Sequence, residues 1–202
     1  MLRWSVEMTF VRRAAALLAP LVLFAGLLVA GPAQAVPAEQ VAAKPKCQRT
    51  LESYPILRPG DRKAAVRTLQ CSLNDVGVGP VVVDGFYGPQ TKAAVKEITD
   101  GFEGTGVPHP YRINNGFWVL LFGRQLPDSN LAFGAHGQTV KVLQRALRAA
   151  GGDLVVDGNF GAQTEGVVKA YQREHHVRPA NGVVNEDTRF FLGMGGVFGE
   201  LN

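Results

Sequence analysis

The sequence predicts an all-α protein, two tandem small three-helix units behind a cleaved signal peptide, and three observations predict it. A loop motif occurs twice, as Val83-Asp84-Gly85-Phe86-Tyr87-Gly88-Pro89-Gln90-Thr91 and as Val156-Asp157-Gly158-Asn159-Phe160-Gly161-Ala162-Gln163-Thr164. Apolar residues at helical spacing flank each loop on both sides. The flanks also repeat in register: Val66, Leu69, Gln70 and Leu73 match Val140, Leu143, Gln144 and Leu147 at an offset of 74. Asp84, Gly88, Thr91 and Val95 match Asp157, Gly161, Thr164 and Val168 at an offset of 73. A duplication of this length constrains the architecture more than any single element does.

Residues 1–35 read as a signal peptide. Arg3, Arg12 and Arg13 form a basic start, 14–30 is an uncharged apolar run, and Ala33-Gln34-Ala35 is a small-x-small processing site. Pro20, Gly26 and Gly31 interrupt the run, which favours cleavage over a retained membrane anchor. The whole chain carries 21 basic and 17 acidic side chains. Removing Arg3, Arg12, Arg13 and Glu7 with the leader leaves 18 against 16. So mild a balance suits an anionic surface without demanding nucleic acid. Residues 36–53 lack apolar periodicity and read as a linker or loosely ordered arm. They carry Cys47, and Cys71 lies in the first helical stretch. In an exported chain two cysteines suggest a bridge that pins the arm to the first unit; the alternative is two free thiols, with Cys71 a small buried apolar residue.

The first unit is expected over 54–126, a hinge over 127–130, the second unit over 131–193 and a tail over 194–202. The first helix should start near Gly60-Asp61, with Asp61 as its cap, and end at Gly77; its counterpart runs from about Gly137 to Ala150 with Gly151 as terminator. Val81-Val82-Val83 and Leu154-Val155-Val156 are too short for strands of a sheet and read as extended connectors buried over the core. Second helices follow, from Pro89 to about Thr99 and from Ala162 to about His175, with Ala94, Val95, Ile98, Val167, Val168 and Tyr171 inward. In the second unit Asn181-Gly182 makes a turn, and Asn185 caps a short third helix with Phe191 and Leu192 inward. The first unit instead has a longer Gly- and Pro-rich passage, 101–112, before Asn114-Asn115 and an aromatic helix from Phe117 to Phe122.

Within each loop, Asp-Gly reverses the chain, Tyr87 or Phe160 plugs the core, and Gly88 or Gly161 opens the next helix, supported by Pro89 in the first copy. Asp84, Gly85, Tyr87, Gly88, Thr91, Asp157, Gly158, Phe160, Gly161 and Thr164 are therefore candidates for loop architecture first and for ligand contact second. Gln70 and Gln144, on the edge of each apolar stripe, either bond to the loop or are solvated.

The second copy resembles, over about 60 residues of ordered spacing, the three-helix peptidoglycan-binding domain that accompanies many bacterial cell-wall hydrolases. The residues that carry the likeness are Leu131, Gly134, Gly137, Val140, Leu143-Gln144, Leu147, Gly151, Val156-Asp157-Gly158, Phe160-Gly161, Thr164, Val168, Tyr171-Gln172, Gly182, Thr188 and Leu192. The first copy is similar from about Leu57 to Ile98 and then departs, Ile98-Thr99 standing where the second has Tyr171-Gln172. The resemblance implies non-catalytic attachment to peptidoglycan by a secreted, wall-associated protein, with no stable membrane anchor once the signal is removed. It also leaves room for a protein-interaction module that regulates or presents a cell-wall hydrolase. A stem-peptide carboxylate could be received by backbone donors at the Gly88 and Gly161 helix starts. Arg58, Arg62, Lys63 and Arg67 form a basic stretch suited to anionic wall polymers.

No catalytic, metal or cofactor site emerges. His109, His136, His175 and His176 do not stand at metal-ligand spacing with carboxylates, and the adjacent pair is expected to be solvated at a helix end. Asp157-Gly158-Asn159 lacks the remaining oxygen ligands of a calcium loop. Nucleophile motifs and phosphate-cradling loops are absent.

Overall fold

The computed structural model describes residues 47–101 and 111–199. The expected signal peptide, the arm before Cys47, and the passage 102–110 lie outside the described residues, as do the last three positions. Six helices follow one another: α1 (Ala64–Asp75), α2 (Pro89–Asp100), α3 (Asn115–Gly123), α4 (Gln138–Ala149), α5 (Ala162–Glu174) and α6 (Glu186–Met194). Among the described residues β-structure is limited to four isolated bridges, and these repeat too: Arg62 with Phe86 and His136 with Asn159, Leu57 with Ile113 and Leu131 with Val184. The described residues are all-helical, as the periodicity predicts.

The helix ends follow from their residues. α1 and α4 both stop at a glycine just past the C-cap, Gly77 (φ +80°) and Gly151 (φ +105°). The N–H of Gly77 donates to Asn74 and that of Val78 to Leu73; Gly151 and Gly152 donate in the same way to Arg148 and Leu147. This pair of crossed bonds satisfies carbonyls that the helix end would otherwise strand. α2 and α5 start on Gly88 and Gly161, with Pro89 in the first turn of α2. α3 and α6 start on Asn114 and Asn185, whose side chains accept the N–H groups of Phe117 and Thr188 at 3.0 Å. Asp61 plays a different part from the one expected. The N-cap of α1 is Lys63, without a side-chain cap bond, and Asp61 Oδ2 instead accepts from the Arg58 N–H (3.1 Å) and Lys63 Nζ (3.2 Å). Asp61 therefore closes the turn before the helix.

One hydrophobic core runs through both repeats, from Tyr54 to Leu192. Its bridge is α3, in which every residue from Phe117 to Gly123 is buried and which packs on α4 and α6 of the second repeat. The crossing is close: a Cβ on Gly123 would lie 2.4 Å from the backbone of Leu192, and one on Gly116 would lie 2.9 Å from the Gly195 carbonyl. Glycine is the residue that lets these two backbones meet. The connectors are less buried than their apolar composition suggests. Val81 and Leu154 are inside, whereas Val82 and Val155 are 62% and 58% exposed, since an extended segment lying on a core presents alternate side chains to solvent.

Residues 47–55 are ordered, and they strap the repeats together. Cys47 is bonded to Cys71 on α1, with a Cα–Cα distance of 5.9 Å. The Gln48 carbonyl accepts from Thr68 Oγ1 (2.7 Å), and Arg49 forms a bidentate pair with Asp75. Across the junction, Arg145 Nε donates to Thr50 Oγ1 (2.9 Å) and Arg148 Nη1 to the Leu51 carbonyl (3.1 Å). Tyr54 then packs on Trp118 and Phe122, with ring centroids 5.4 and 5.2 Å away, and the Trp118 indole N–H donates to the Pro55 carbonyl (3.0 Å). Burial pushes the Tyr54 hydroxyl up to about 12. The arm is looser in composition than in place because its anchors, Cys71, Asp75, Arg145 and Arg148, are distant in sequence.

Candidate functional site

Both Asp-Gly loops are organised by a buried glutamine. Gln70 Nε2 donates to Asp84 Oδ1 (2.7 Å), the Phe86 carbonyl (3.1 Å) and Thr91 Oγ1 (3.1 Å), while its Oε1 accepts the Gly85 N–H (2.9 Å). Gln144 repeats the pattern: Asp157 Oδ1 (2.8 Å), the Asn159 carbonyl (3.0 Å), Thr164 Oγ1 (3.1 Å) and the Gly158 N–H (2.8 Å). Both glutamines are 1% exposed. A buried amide needs all its partners, and a loop of free backbone groups needs an amide; each satisfies the other. Of the two readings left open by the sequence, bonding to the loop is the one realised.

Asp84 Oδ1 also accepts the Phe86 N–H and Asp157 Oδ1 the Asn159 N–H, both at 2.8 Å. These backbone donors, and after them the Gln70 and Gln144 amides, hold both carboxyls below the usual carboxylate range. Gly85 (φ +82°) and Gly158 (φ +86°) are required twice over. Their φ is left-handed, and a Cβ on them would meet Arg67 at 3.2 Å and Lys141 at 2.9 Å. Tyr87 and Phe160 are buried plugs. They differ at their tips, the Tyr87 hydroxyl donating to the Tyr111 carbonyl (2.8 Å). Thr91 and Thr164 are buried on the first turns of α2 and α5. At the Gly88 helix start, where donors for a carboxylate were expected, the Gly88 N–H bonds the Phe86 carbonyl at 2.7 Å, and Pro89 has no N–H to offer.

A third copy of the arrangement lies in the second repeat, where the sequence showed only an Asn-Gly turn. Gln172 Nε2 donates to the Val183 carbonyl (2.7 Å) and Thr188 Oγ1 (3.0 Å), and its Oε1 accepts the Gly182 N–H (2.9 Å). Asn181 Oδ1 takes the Val183 N–H (3.0 Å), the task of Asp84 and Asp157. The signal was available: a Gln in a helix, an Asx-Gly pair and a Thr after it, in the same order as the two loops.

The basic candidates Arg58, Arg62, Lys63 and Arg67 are all exposed. The structure places three of them at the first loop: the Arg62 guanidinium lies 3.8 Å over the Phe86 ring, the Lys63 N–H donates to the Gly85 carbonyl and Arg67 crosses Gly85. His175 departs from expectation. It is buried, 4.3 Å from the Tyr171 ring centroid and stacked 5.2 Å from Phe191, because the chain after α6 folds back so that Gly196 touches it. His176 is exposed. Among the described residues no three His, Cys, Asp or Glu side chains are grouped as metal ligands, and no helix there is long and apolar enough to cross a membrane.

Residues 62–98 and 136–192 match the family described as "Putative peptidoglycan binding domain". The two repeats match that family in tandem. The matched segments begin at the loop bridges Arg62–Phe86 and His136–Asn159, and in the second domain they extend through the third glutamine site to Leu192. In the first domain the match stops at Ile98, one residue before Thr99 replaces that glutamine. No curated protein and no solved structure matches the chain.

Proposed function

We propose that this protein is exported and attaches to cell-wall peptidoglycan without cutting it, its two domains presented as one body. The family of both repeats supports the ligand. Support for a passive role comes from how the polar loop residues are used: Gln70, Asp84 and Thr91, like Gln144, Asp157 and Thr164, are committed to bonds with one another and with their own backbone. A general acid or base must instead present its proton-carrying atom to a substrate. Export rests on the basic, apolar and small-x-small order of residues 1–35.

A second reading, a module that regulates or presents a wall hydrolase, is favoured by one observation. Phe190 and Met194 stand one turn apart on α6 and are 60% and 46% exposed, an arrangement suited to another protein's apolar surface. Co-sedimentation of the leaderless chain with purified sacculi separates the readings. Attachment predicts pelleting at low and at moderate salt with no muropeptides released. Failure to pellet at either salt overturns it, and release of muropeptides by the pure protein would make it an enzyme.

A further inference from the structure

The two domains carry the same loop in unlike electrostatic settings. At the Asp84–Gly88 loop stand Arg62, Lys63 and Arg67, and Arg58 is exposed in the turn closed by Asp61, whose carbonyl accepts the Tyr87 N–H; in the register of the second repeat these positions are His136, Gly137, Lys141 and Ala132. Phe86, on which Arg62 lies, is replaced by Asn159. One turn into α2, Lys92 lies 4.3 Å over the Tyr111 ring; its counterpart on α5, Glu165, is acidic and pairs with Lys169 at 2.9 Å. Arg58, Arg62 and Arg67 form no ion pair among the described residues, whereas Lys63 is paired with Asp61. Arg62 helps to keep Asp84 charged, but Asp84 Oδ1 is already taken by the Phe86 N–H and the Gln70 amide.

Arginine's geometry gives this difference a use. A guanidinium lying flat on an aromatic ring is held by its face and keeps its edge N–H groups for a forked bond to an oxyanion. Arg62, 3.8 Å over the Phe86 ring, is placed to act as such a fork, with Arg67 beside Gly85 of the same loop. We infer that the first domain binds a wall polymer bearing repeated oxyanions through Arg58, Arg62 and Arg67, while the second domain lacks this surface. The inference rests on the wall-attachment reading and adds a second ligand class to it. A polymer that meets several cations at once gains from each without new folding, and the attraction weakens as salt screens it.

The test uses the whole leaderless chain and a triple variant, Arg58→Gln, Arg62→Gln and Arg67→Gln, all at exposed positions and checked for an unchanged melting temperature. Each is sedimented with sacculi that keep their phosphodiester polymers and with the same sacculi stripped by hydrofluoric acid. Polyphosphate and polygalacturonate serve as soluble probes that distinguish phosphate from carboxylate. The expected result is that the natural chain binds intact sacculi about tenfold more tightly than stripped ones, and that the variant loses this tenfold while binding stripped sacculi as before. Binding of either probe that the variant loses supports the inference. Equal binding to intact and stripped sacculi together with no binding of either probe, or a variant indistinguishable from the natural chain on sacculi and probes alike, overturns it. Loss of binding to stripped sacculi by the natural chain, with the polymer-dependent part intact, would instead sink the peptidoglycan reading and leave the polymer site standing.

Discussion

In the second repeat the glutamine-centred loop occurs twice, at Gln144 and at Gln172; in the first it occurs once, at Gln70. Thr99 stands in the register of Gln172, and its hydroxyl bonds back to the Lys96 carbonyl at 3.0 Å. Among the described residues the first repeat thus has no glutamine in the register of Gln172. Its third helix is stabilised otherwise: α3 is almost wholly apolar, buried on all sides, and laid across α4 and α6. α6, by contrast, leaves Phe190 and Met194 outside. A duplicated unit can therefore lose an internal hydrogen-bonded turn when the helix that follows it finds a partner surface in its neighbour, because burial of aromatic area replaces a satisfied polar network. The cost is independence, since α3 has no apolar-to-polar gradient with which to face water alone.

The largest effect expected from breaking this comparison is at the glutamines. Replacing Gln144 by Leu strands the buried Gly158 N–H and removes a donor from the Asn159 carbonyl and from Thr164 Oγ1, at a cost of about 2–4 kcal/mol. Gln70→Leu and Gln172→Leu should fall in the same range, whereas Thr99→Val should change stability by no more than about 0.5 kcal/mol. Urea unfolding of the four variants measures this directly. If Thr99→Val were as costly as Gln172→Leu, the first repeat would hold a fourth site in another form.

A smaller effect is expected from the strap. Cys71→Ser opens a bridge between residues 24 apart and should lower stability by about 2–4 kcal/mol. It should also free the strap, so that fluorescence of Trp118, which bonds Pro55 and touches Tyr54, shifts towards that of a wetter indole. An unchanged spectrum would mean that Arg145 and Arg148 hold the strap by themselves.

The smallest effect is titration of the two loops. Asp84 and Asp157 have folded-state pKa values below the usual carboxylate range, so their contribution is fully present above the unfolded value of about 3.9 and is lost as pH falls through the folded values. Melting temperature should therefore decline on acidification below about pH 4. The double variant Asp84→Asn, Asp157→Asn keeps the Oδ1 acceptor and should flatten that decline. A decline as steep in the variant would assign acid sensitivity to other groups.

Much of this was legible in the chain. Helix positions followed from apolar spacing, helix ends from Gly77, Gly151, Asn114 and Asn185, and the bridge from two cysteines in a chain whose first 35 residues read as a signal peptide. What the loops do with Asp84 and Asp157 was legible in outline, since Asx-Gly fixes a turn through local bonds. What was not legible depends on residues far apart in sequence. The bonds of Arg145 and Arg148 to Thr50 and Leu51 join distant stretches that no local pattern connects, and His175 reads as solvated at a helix end until Phe191 and Gly196 cover it. Asp61 reads locally as a helix cap, but its carboxylate accepts the Arg58 N–H three residues back and closes the turn ahead of the helix instead.

The most direct measurement is native-state hydrogen exchange at the Gly85 and Gly158 amides, each of which donates to the glutamine of its own repeat. If α3 and the strap join the repeats into one cooperative unit, both amides exchange with the same free energy, equal to that of global unfolding, and calorimetry shows a single transition. Exchange of Gly85 through an opening that leaves Gly158 protected, or two separate transitions, would contradict that and return the repeats to independent domains.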